Sequence, residues 1–302
     1  MLWVCPRRGG ALKPSPLAYH APESTEEAVG VLARYGDEAK ILAGGQSLVP
    51  MLAYRLAAPR LVVDITRVPD LAGFELDGGL VVRAGATQRA LERSLDVGLA
   101  FPVLHEAIAH IAHPQIRNRG TLCGSVAHAD PAAELPATMV ALDATMVVVG
   151  PAGTRRIPAE DFFRFHLTTA LEPDELLAAV SIPRLGPATS ASFLEVAHRR
   201  GDFALVGAVV VVSFAEGAGV ADCRIVCAGV GPVPFRAARA EEVLRGRALD
   251  DEALLEAQWA TRAGMEALDD PHATAAYRRH VAGVLVRRAL DRIRAEQGAS
   301  RG

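Results

Sequence analysis

Two short glycine-containing segments hold the residue types that could bind an anion. The first consists of Leu42, Ala43, Gly44, Gly45, Gln46, Ser47, Leu48 and Val49, and the second, about 75 residues later, contains Thr121, Leu122, Cys123, Gly124 and Ser125. Because glycine lacks a Cβ, backbone N–H groups in such turns can approach an anion closely and form an anion-binding nest. The hydroxyls of Ser47, Thr121 and Ser125 can add donors. Together the two segments predict a binding site for the two phosphates of a pyrophosphate, although each segment alone is also compatible with an ordinary tight turn.

Other phosphate-binding and catalytic signatures are missing from the sequence. There is no Gly-x-x-x-x-Gly-Lys-Ser/Thr loop, no Gly-x-Ser-x-Gly elbow and no His-Glu-x-x-His pair. Gly217-Ala218-Gly219 resembles the start of a dinucleotide fingerprint, but Asp222 stands where the third glycine belongs. We therefore interpret that segment as a hairpin turn.

The cysteines and histidines lack the spacing of a metal site. The four cysteines are Cys5, Cys123, Cys223 and Cys227. None forms a Cys-x-x-Cys pair, so neither a zinc site nor an iron–sulfur site is expected from this chain alone. His105 and His110 are five residues apart and do not share a helical face, so we assign no metal ligand or general base there. His128, just after the second segment, is a candidate for contact with a bound cofactor.

The composition excludes several classes of protein. Half of the 302 residues are hydrophobic and the formal net charge is −3, which is too apolar and too neutral for a disordered chain. A nucleic-acid-binding protein would need a basic face. No run of about 18 apolar residues predicts a transmembrane helix, and Met1–Ala11 lacks the apolar stretch of a secretory signal. We expect a cytoplasmic protein, with a peripheral position at the inner membrane face left open.

Short strands and helices alternate irregularly through the first half, which predicts an α+β fold rather than a doubly wound sheet. A strand at Ala39–Ala43 leads into the first glycine segment, and a short helix or turn at Leu48–Leu56 follows it. His113–Asp130, which contains the second segment, is expected to be irregular. Further predictions are helices at 25–35, 87–95, 102–111 and 134–142 and strands at 61–65, 80–84, 145–149 and 154–157.

The second half predicts three long antiparallel strands followed by helices. A linker is expected at Pro183–Pro187, then strands at 192–198, 205–214 and 220–230, with a turn at 216–219. Helices are expected at 237–244, 251–268 and 274–296. The predicted division is an extension at 1–12, a first domain at 13–186 with subdomains at about 13–70 and 71–186, a C-terminal α+β domain at 187–297 and a tail at 298–302.

The two glycine segments resemble the motifs of one known family, the FAD-binding medium subunits of molybdenum hydroxylases. Ala43-Gly-Gly-Gln-Ser-Leu-Val-Pro50 is similar to its first motif, Ala-Gly-Gly-Gln/His-Ser-Leu-x-Pro. Arg117-Asn-Arg-Gly-Thr-Leu-Cys-Gly-Ser-Val-Ala-His-Ala-Asp-Pro-Ala-Ala-Glu134 is similar to the second, and Arg199-Arg-Gly-Asp-Phe-Ala204 looks like a third. The resemblance runs from about Lys13 to Leu290 and points to the carbon monoxide dehydrogenase medium-subunit group.

This resemblance implies a FAD-binding fold of the vanillyl-alcohol oxidase (PCMH) type in two subdomains, followed by an α+β domain of the CO dehydrogenase flavoprotein type. It implies non-covalent FAD, with the pyrophosphate held by residues 43–49 and 121–125. Glu134 falls where the family places an acidic residue near the flavin, and Asp130 belongs to the same motif and would shape its loop. Leu177 and Phe203 align with positions that line the cofactor.

The resemblance also implies partners and leaves alternatives open. A large subunit would carry the molybdenum cofactor and a small subunit two [2Fe–2S] clusters, in a dimer of heterotrimers that passes electrons to this FAD and on to an external acceptor. No catalytic residue and no metal are assigned to this chain. A self-sufficient FAD-dependent oxidase or dehydrogenase, and an assembly protein that has lost FAD, are the alternatives. Cys123 departs from the family's glycine; a positive φ there would cost about 1 kcal/mol or more, so either φ is negative or this loop differs.

Overall fold

The computed structural model describes residues 13–215 and 219–299, and everything below concerns those residues. The predicted extension at 1–12, the middle of the predicted turn at 216–219 and the end of the predicted tail lie outside them. The described chain forms three main β-sheets, a small two-stranded sheet and the helices that cover them. The predicted α+β fold is confirmed.

The first sheet is parallel and leads directly into the first glycine segment. Its strands are β1 (Ala18–His20), β2 (Ala39–Leu42) and β3 (Leu61–Asp64), in the order β1-β3-β2. Helix α1 (Thr25–Tyr35) connects β1 to β2 and begins where the Ser24 hydroxyl accepts a hydrogen bond from the Glu27 N–H. Helix α2 (Leu48–Ala53) follows the glycine segment and is shorter than predicted. The end of β2 therefore places residues 43–47 at the carboxyl edge of this sheet.

The second sheet is antiparallel and carries a set of short helices. Its strands are β4 (Phe74–Leu76), β5 (Gly79–Arg83), β6 (Thr145–Gly150), β7 (Gly153–Pro158) and β10 (Leu176–Pro183), in the order β4-β5-β10-β6-β7. The remaining elements are α3 (Gln88–Arg93), α4 (Leu95–Ala100), α5 (Pro102–His110), α6 (Pro114–Arg117), α7 (Leu122–His128), α8 (Glu134–Ala141), α9 (Ala159–Phe162), β8 (Phe163–Phe165) and β9 (Thr168–Thr169).

Two of the sequence-based expectations for this region are wrong. The segment 113–130 is not irregular, because Pro114 begins α6 and Thr121 caps α7. The helix predicted at 87–95 is interrupted at Ser94, whose hydroxyl accepts from the Val97 N–H and starts a separate helix, α4. In both places a proline or a capping hydroxyl starts a helix too short to show periodicity.

The third sheet is antiparallel, as predicted, and is followed by three helices. Its strands are β11 (Thr189–Ala197), β12 (Ala204–Phe214), β13 (Val220–Ala228) and β14 (Phe235–Arg236). The helices are α10 (Ala238–Leu244), α11 (Asp251–Ala263) and α12 (Ala275–Ala299). Helix α11 ends at Ala263, earlier than the predicted Leu268.

Strand β12 is buried on both faces and joins the two halves of the chain. Val206, Ala208, Val210 and Val212 belong to the core beneath α10, α11 and α12. Val209 and Val211 face the other way, into the core that contains α5 and α8. Two-residue alternation thus presents one apolar face to each half. None of the described helices has the length and apolar composition that crossing a bilayer requires.

Candidate functional site

The first glycine segment turns sharply between β2 and α2. Gly45 has φ +74°, a conformation that favours glycine, and its carbonyl accepts from the Val49 N–H at 3.1 Å. The Gln46 amide donates to the Gly44 carbonyl at 3.1 Å and closes the turn. Among the described residues, the backbone N–H groups of Gly44, Gly45 and Gln46 donate to no protein acceptor. These groups are therefore free of protein partners, and their binding of an anion stays a prediction.

The two glycine segments meet each other. A Cβ built on Gly44 would lie 2.2 Å from the Arg119 carbonyl oxygen and 2.6 Å from the Gly120 Cα. No real Cβ tolerates such a contact, and the obstruction is backbone rather than a movable side chain. A Cβ on Gly124 would lie 3.9 Å from that of Ala43. The fold therefore brings together two segments that are far apart in sequence, and glycine at position 44 permits the contact.

The second glycine segment forms the first turn of α7. The Thr121 hydroxyl accepts from the Gly124 N–H at 3.0 Å, and the Ser125 N–H bonds to the Thr121 carbonyl at 3.2 Å. These N–H groups are thus already used within the turn. The hydroxyl hydrogens of Thr121 and Ser125 remain as donors. Leu122 is fully buried and anchors the turn in the core.

Cys123 lies in this helical turn and is absent from the positive-φ residues of the described chain. The cysteine therefore fits without the strain that a left-handed backbone would impose. Its Sγ lies 3.4 Å from the Val82 carbonyl oxygen, and burial raises the pKa of the thiol to about 12. The neutral, enclosed thiol is a packing group and not a nucleophile.

A tightly bonded arginine holds the second segment in place, and residue types alone did not single it out. The Arg117 guanidinium donates to both carboxylate oxygens of Glu92, at 2.7 and 3.0 Å, and to the Ile111 carbonyl at 2.7 Å. The hydrogen bond from Arg117 lowers the pKa of Glu92 to about 2. The Gln88 N–H donates to the Gly120 carbonyl at 2.8 Å. Helix α3 is therefore the support for this segment; Arg117 lies within the quoted motif, but nothing in the sequence pointed to Glu92 or Gln88.

The acidic residues beyond α7 occupy contrasting environments. Asp130 accepts from the Ala132 N–H at 2.9 Å, a turn that suits the loop-shaping role expected of it. Glu134 is 4% exposed at the start of α8, and burial, with the charges of Glu195 and Asp130, raises its pKa to about 8. His128 ends α7 and is half-buried; burial lowers its pKa. Their contact with a cofactor stays a prediction.

Leu177 and Phe203, the two remaining candidates for lining the cofactor, differ strongly in burial. Leu177 is 3% exposed in β10, the strand beside α7, where it belongs to the hydrophobic core. Phe203 is 62% exposed in the turn between β11 and β12. A Cβ on Gly201 in that turn would lie 2.9 Å from the Ala112 carbonyl, so the turn contacts the segment just before α6. Roles in lining the cofactor stay predictions for both residues.

Comparisons with known proteins agree with this arrangement. Residues 14–185 match the family described as the FAD binding domain in molybdopterin dehydrogenase, and residues 191–293 match the CO dehydrogenase flavoprotein C-terminal domain. The 6-hydroxypseudooxynicotine dehydrogenase complex subunit alpha of Paenarthrobacter nicotinovorans is 39% identical over 92% of this chain and 95% of its own. The carbon monoxide dehydrogenase medium chain of Hydrogenophaga pseudoflava is 37% identical over 92% and 97%.

Solved structures of molybdenum hydroxylases contain chains with the same fold. A chain of the carbon monoxide dehydrogenase of Hydrogenophaga pseudoflava superposes with a TM-score of 0.90 at 38% identity, covering 93% of this chain and 98% of that one. A chain of quinoline 2-oxidoreductase from Pseudomonas putida 86 gives 0.89 at 37% identity, covering 95% and 99%. The paired glycine segments are thus part of a FAD-binding domain. The chain belongs to the family of FAD-binding medium subunits of multi-subunit molybdenum hydroxylases, which are oxidoreductases such as carbon monoxide dehydrogenase.

Proposed function

We propose that this chain is an electron-transfer subunit that holds FAD without a covalent bond. It would receive electrons from [2Fe–2S] clusters on a small partner subunit and pass them to an external acceptor. A large partner subunit would carry the molybdenum cofactor and oxidise the substrate, within a dimer of heterotrimers. The observation that carries the proposal is the contact between the two glycine segments, where Gly44 lies against Arg119 and Gly120.

The residues of this site fit the charged part of FAD. The free N–H groups of residues 44–46 and the hydroxyls of Ser47, Thr121 and Ser125 can all donate hydrogen bonds, which suits a pyrophosphate with acceptor oxygens only. Gly44 lets the two segments close on each other, and Arg117 holds the second segment rigid through Glu92. When bound, FAD supplies the exchange of one or two electrons that amino-acid side chains do not provide.

The residues of the chain suggest which parts of the proposed electron transfer belong to this subunit and which to its partners. The four cysteines lack the spacing that holds an iron–sulfur cluster, so the clusters that we propose as electron donors would lie on another subunit. The first half of the chain supplies the paired segments, and its core extends into β11 and β12 of the second half. This packing keeps the FAD site on a rigid support, as precise orientation of a cofactor requires.

The proposal is tested by expressing the chain alone and together with the proposed large and small partner subunits. We expect the isolated chain to bind FAD that acid releases, and to oxidise no organic substrate by itself. In the complex, substrate should reduce the flavin, and omission of the small subunit should abolish that reduction. Substrate oxidation by the isolated FAD-loaded chain would contradict the proposal in favour of a self-sufficient oxidase or dehydrogenase.

A further inference from the structure

Arg278 on α12 is a buried cation that binds three other parts of the chain. Its guanidinium side chain is 6% exposed. The nitrogen Nη1 donates to the carbonyl oxygens of Leu205 and Gly229, at 2.5 Å each, and Nη2 donates to the Asp270 carboxylate. The planar fork thus serves three acceptors at once, and Asp270 compensates its charge. Since unpairing a buried charge is costly, this guanidinium holds the two carbonyl groups firmly.

The Leu205 carbonyl belongs to a β-bulge that directly follows the turn between β11 and β12. The pairing of these two strands changes register beside Leu205, which has no partner residue in β11. An extra residue of this kind bends its strand and changes the direction of the neighbouring chain. The hydrogen bond from Arg278 satisfies the carbonyl of the extra residue. Arg278 therefore stabilises the bulge, and with it the direction of the turn at 198–203.

The second carbonyl that Arg278 binds connects the bulge with the loop between α7 and α8. Gly229 donates its N–H to the carbonyl of Pro131, in that loop, at 2.7 Å. It has φ +73°, and a Cβ built on it would lie 2.6 Å from the Leu205 carbonyl oxygen. Glycine therefore permits the close approach of the bulge and the chain that follows β13. Through Gly229, Arg278 holds the bulge and the loop together.

The other side of the turn lies against a segment that Arg117 holds. A Cβ on Gly201 would lie 2.9 Å from the Ala112 carbonyl oxygen, and the Arg117 guanidinium donates to this same oxygen at 3.2 Å. The turn thus lies between carbonyl groups bound by two buried arginines, Arg117 from the first half of the chain and Arg278 from the second. The exposed ring of Phe203 is presented by a backbone that is fixed on both sides.

These contacts lie at the two ends of the piece of chain that carries the second glycine segment. Ala112 precedes α6 and Pro131 follows α7, and residues 121–125 lie between them. The second half of the chain therefore supports both ends of this piece. All three acceptors of Arg278 lie outside the glycine segments, so Arg278 acts on them through the backbone.

We propose that Arg278 is a positioning residue of the FAD site, which fixes the turn at 198–203 relative to the loop between α7 and α8. The guanidinium acts through the carbonyl groups of Leu205 and Gly229 and needs no contact with FAD. Its removal frees the bulge, and the piece of chain that carries the second glycine segment loses a support at its end. The fixed turn is a property of the chain alone, whereas its effect on FAD rests on the proposed function.

The first experiment measures the fixed turn without any cofactor. Hydrogen–deuterium exchange of the full apo chain is read by mass spectrometry for the wild type, Arg278→Ala, Arg278→Lys and the matched control Arg294→Ala. Arg294 is another arginine of α12, and it binds the carboxylates of Asp251 and Asp291. The control therefore removes an ion-paired arginine from the same helix and leaves the bulge intact.

We expect Arg278→Ala to speed exchange by about tenfold or more in peptides that cover residues 198–206 and 226–231, because local opening becomes easier. Arg278→Lys should speed it less, since an ammonium group keeps the charge but lacks the planar fork. Peptides from α1 should exchange as in the wild type in every variant. Wild-type exchange in both peptides of a folded Arg278→Ala or Arg278→Lys chain would overturn the fixed turn.

The second experiment tests the effect on FAD by titrating each apo protein and comparing the fluorescence of bound and free flavin. We expect Arg278→Ala to bind FAD about tenfold more weakly, with a bound-flavin fluorescence closer to that of free FAD. Arg278→Lys should lie between it and the wild type, and Arg294→Ala should match the wild type. The fluorescence reports the surroundings of the flavin ring, which a general loss of stability would leave unchanged in the bound state.

Wild-type affinity and fluorescence in a folded Arg278→Ala chain would overturn the positioning role, even if its turn exchanges faster. Failure of the wild type and of Arg294→Ala to bind FAD would instead contradict the proposed function and leave the result of the first experiment standing.

Discussion

The contact between the two glycine segments predicts that Gly44→Ala weakens FAD binding more than Gly45→Ala does. Gly44→Ala would place a Cβ 2.2 Å from the Arg119 carbonyl oxygen, so the two segments must separate by about an ångström or more. Overpacking of this kind costs about 1–3 kcal/mol, and at 1.4 kcal/mol per factor of ten this corresponds to about a 5- to 140-fold loss of FAD affinity. Gly45→Ala meets only the ends of the Leu42 and Val49 side chains, at 3.2 Å, but must adopt φ +74°. That strain costs about 1 kcal/mol, or roughly a fivefold loss.

Gly30→Ala is the matched control. Gly30 lies exposed within α1, and nothing would lie within 4 Å of an added Cβ. Alanine favours a helix by about 1 kcal/mol over glycine, so this variant should be slightly more stable and should bind FAD normally. Affinity is measured by fluorescence titration of FAD with each apo protein, after circular dichroism has verified folding. A folded Gly44→Ala chain with the affinity of the Gly30→Ala control would refute our placement of the pyrophosphate.

Three further predictions concern buried groups. Arg117→Ala removes two hydrogen bonds to Glu92, which keeps its ion pair with Arg89, so we expect a loss of about 1.5–3 kcal/mol in urea unfolding and weaker FAD binding, with Arg117→Lys between it and the wild type; an unchanged midpoint would contradict the supporting role of α3. In a Cys5→Ser variant, the three remaining cysteines should resist a thiol reagent at about pH 8 until urea is added. The reason is that burial raises the pKa of each thiol, at Cys123, Cys223 and Cys227, to about 12. Rapid labelling of the folded chain would contradict this prediction. Folding raises the pKa of Glu134 from 4.5 to about 8, so the proton on this carboxyl group stabilises the fold at low pH. This contribution to the free energy of unfolding, up to roughly 4–5 kcal/mol, is lost as the pH rises through about 8. A wild-type stability that stays constant relative to Glu134→Gln over this pH range would disprove the raised pKa.

The parts of the site that depend on local sequence could be predicted. The Gly44-Gly45 pair by itself indicates a turn after the short strand β2. Ser24 and Glu27, three residues apart, form the capping pattern that predicts the start of α1. A run of valines predicts the long strand β12. Each of these signals needs only neighbours in the chain, so it is readable without an alignment or a structure.

The parts that depend on tertiary contacts could not be predicted from residue types. Strand β10 is buried on both faces, so it shows no alternation, and it was missed although it is the centre of the second sheet. Helix α7 looked irregular because its cysteine, glycine, serine and valine have low helix propensity, whereas the Thr121 cap and the surrounding core stabilise it. Glu195 gave no signal, because only the packing of β11 against α5 buries the side chain of an ordinary strand position.

The most direct test of the central claim is the flavin content of the purified chain. We predict one acid-releasable FAD per chain, after reconstitution if necessary, with the flavin absorption bands lost on release and binding weakened in Gly44→Ala but not in Gly30→Ala. The complete absence of flavin absorbance from a folded wild-type chain incubated with excess FAD would contradict the account.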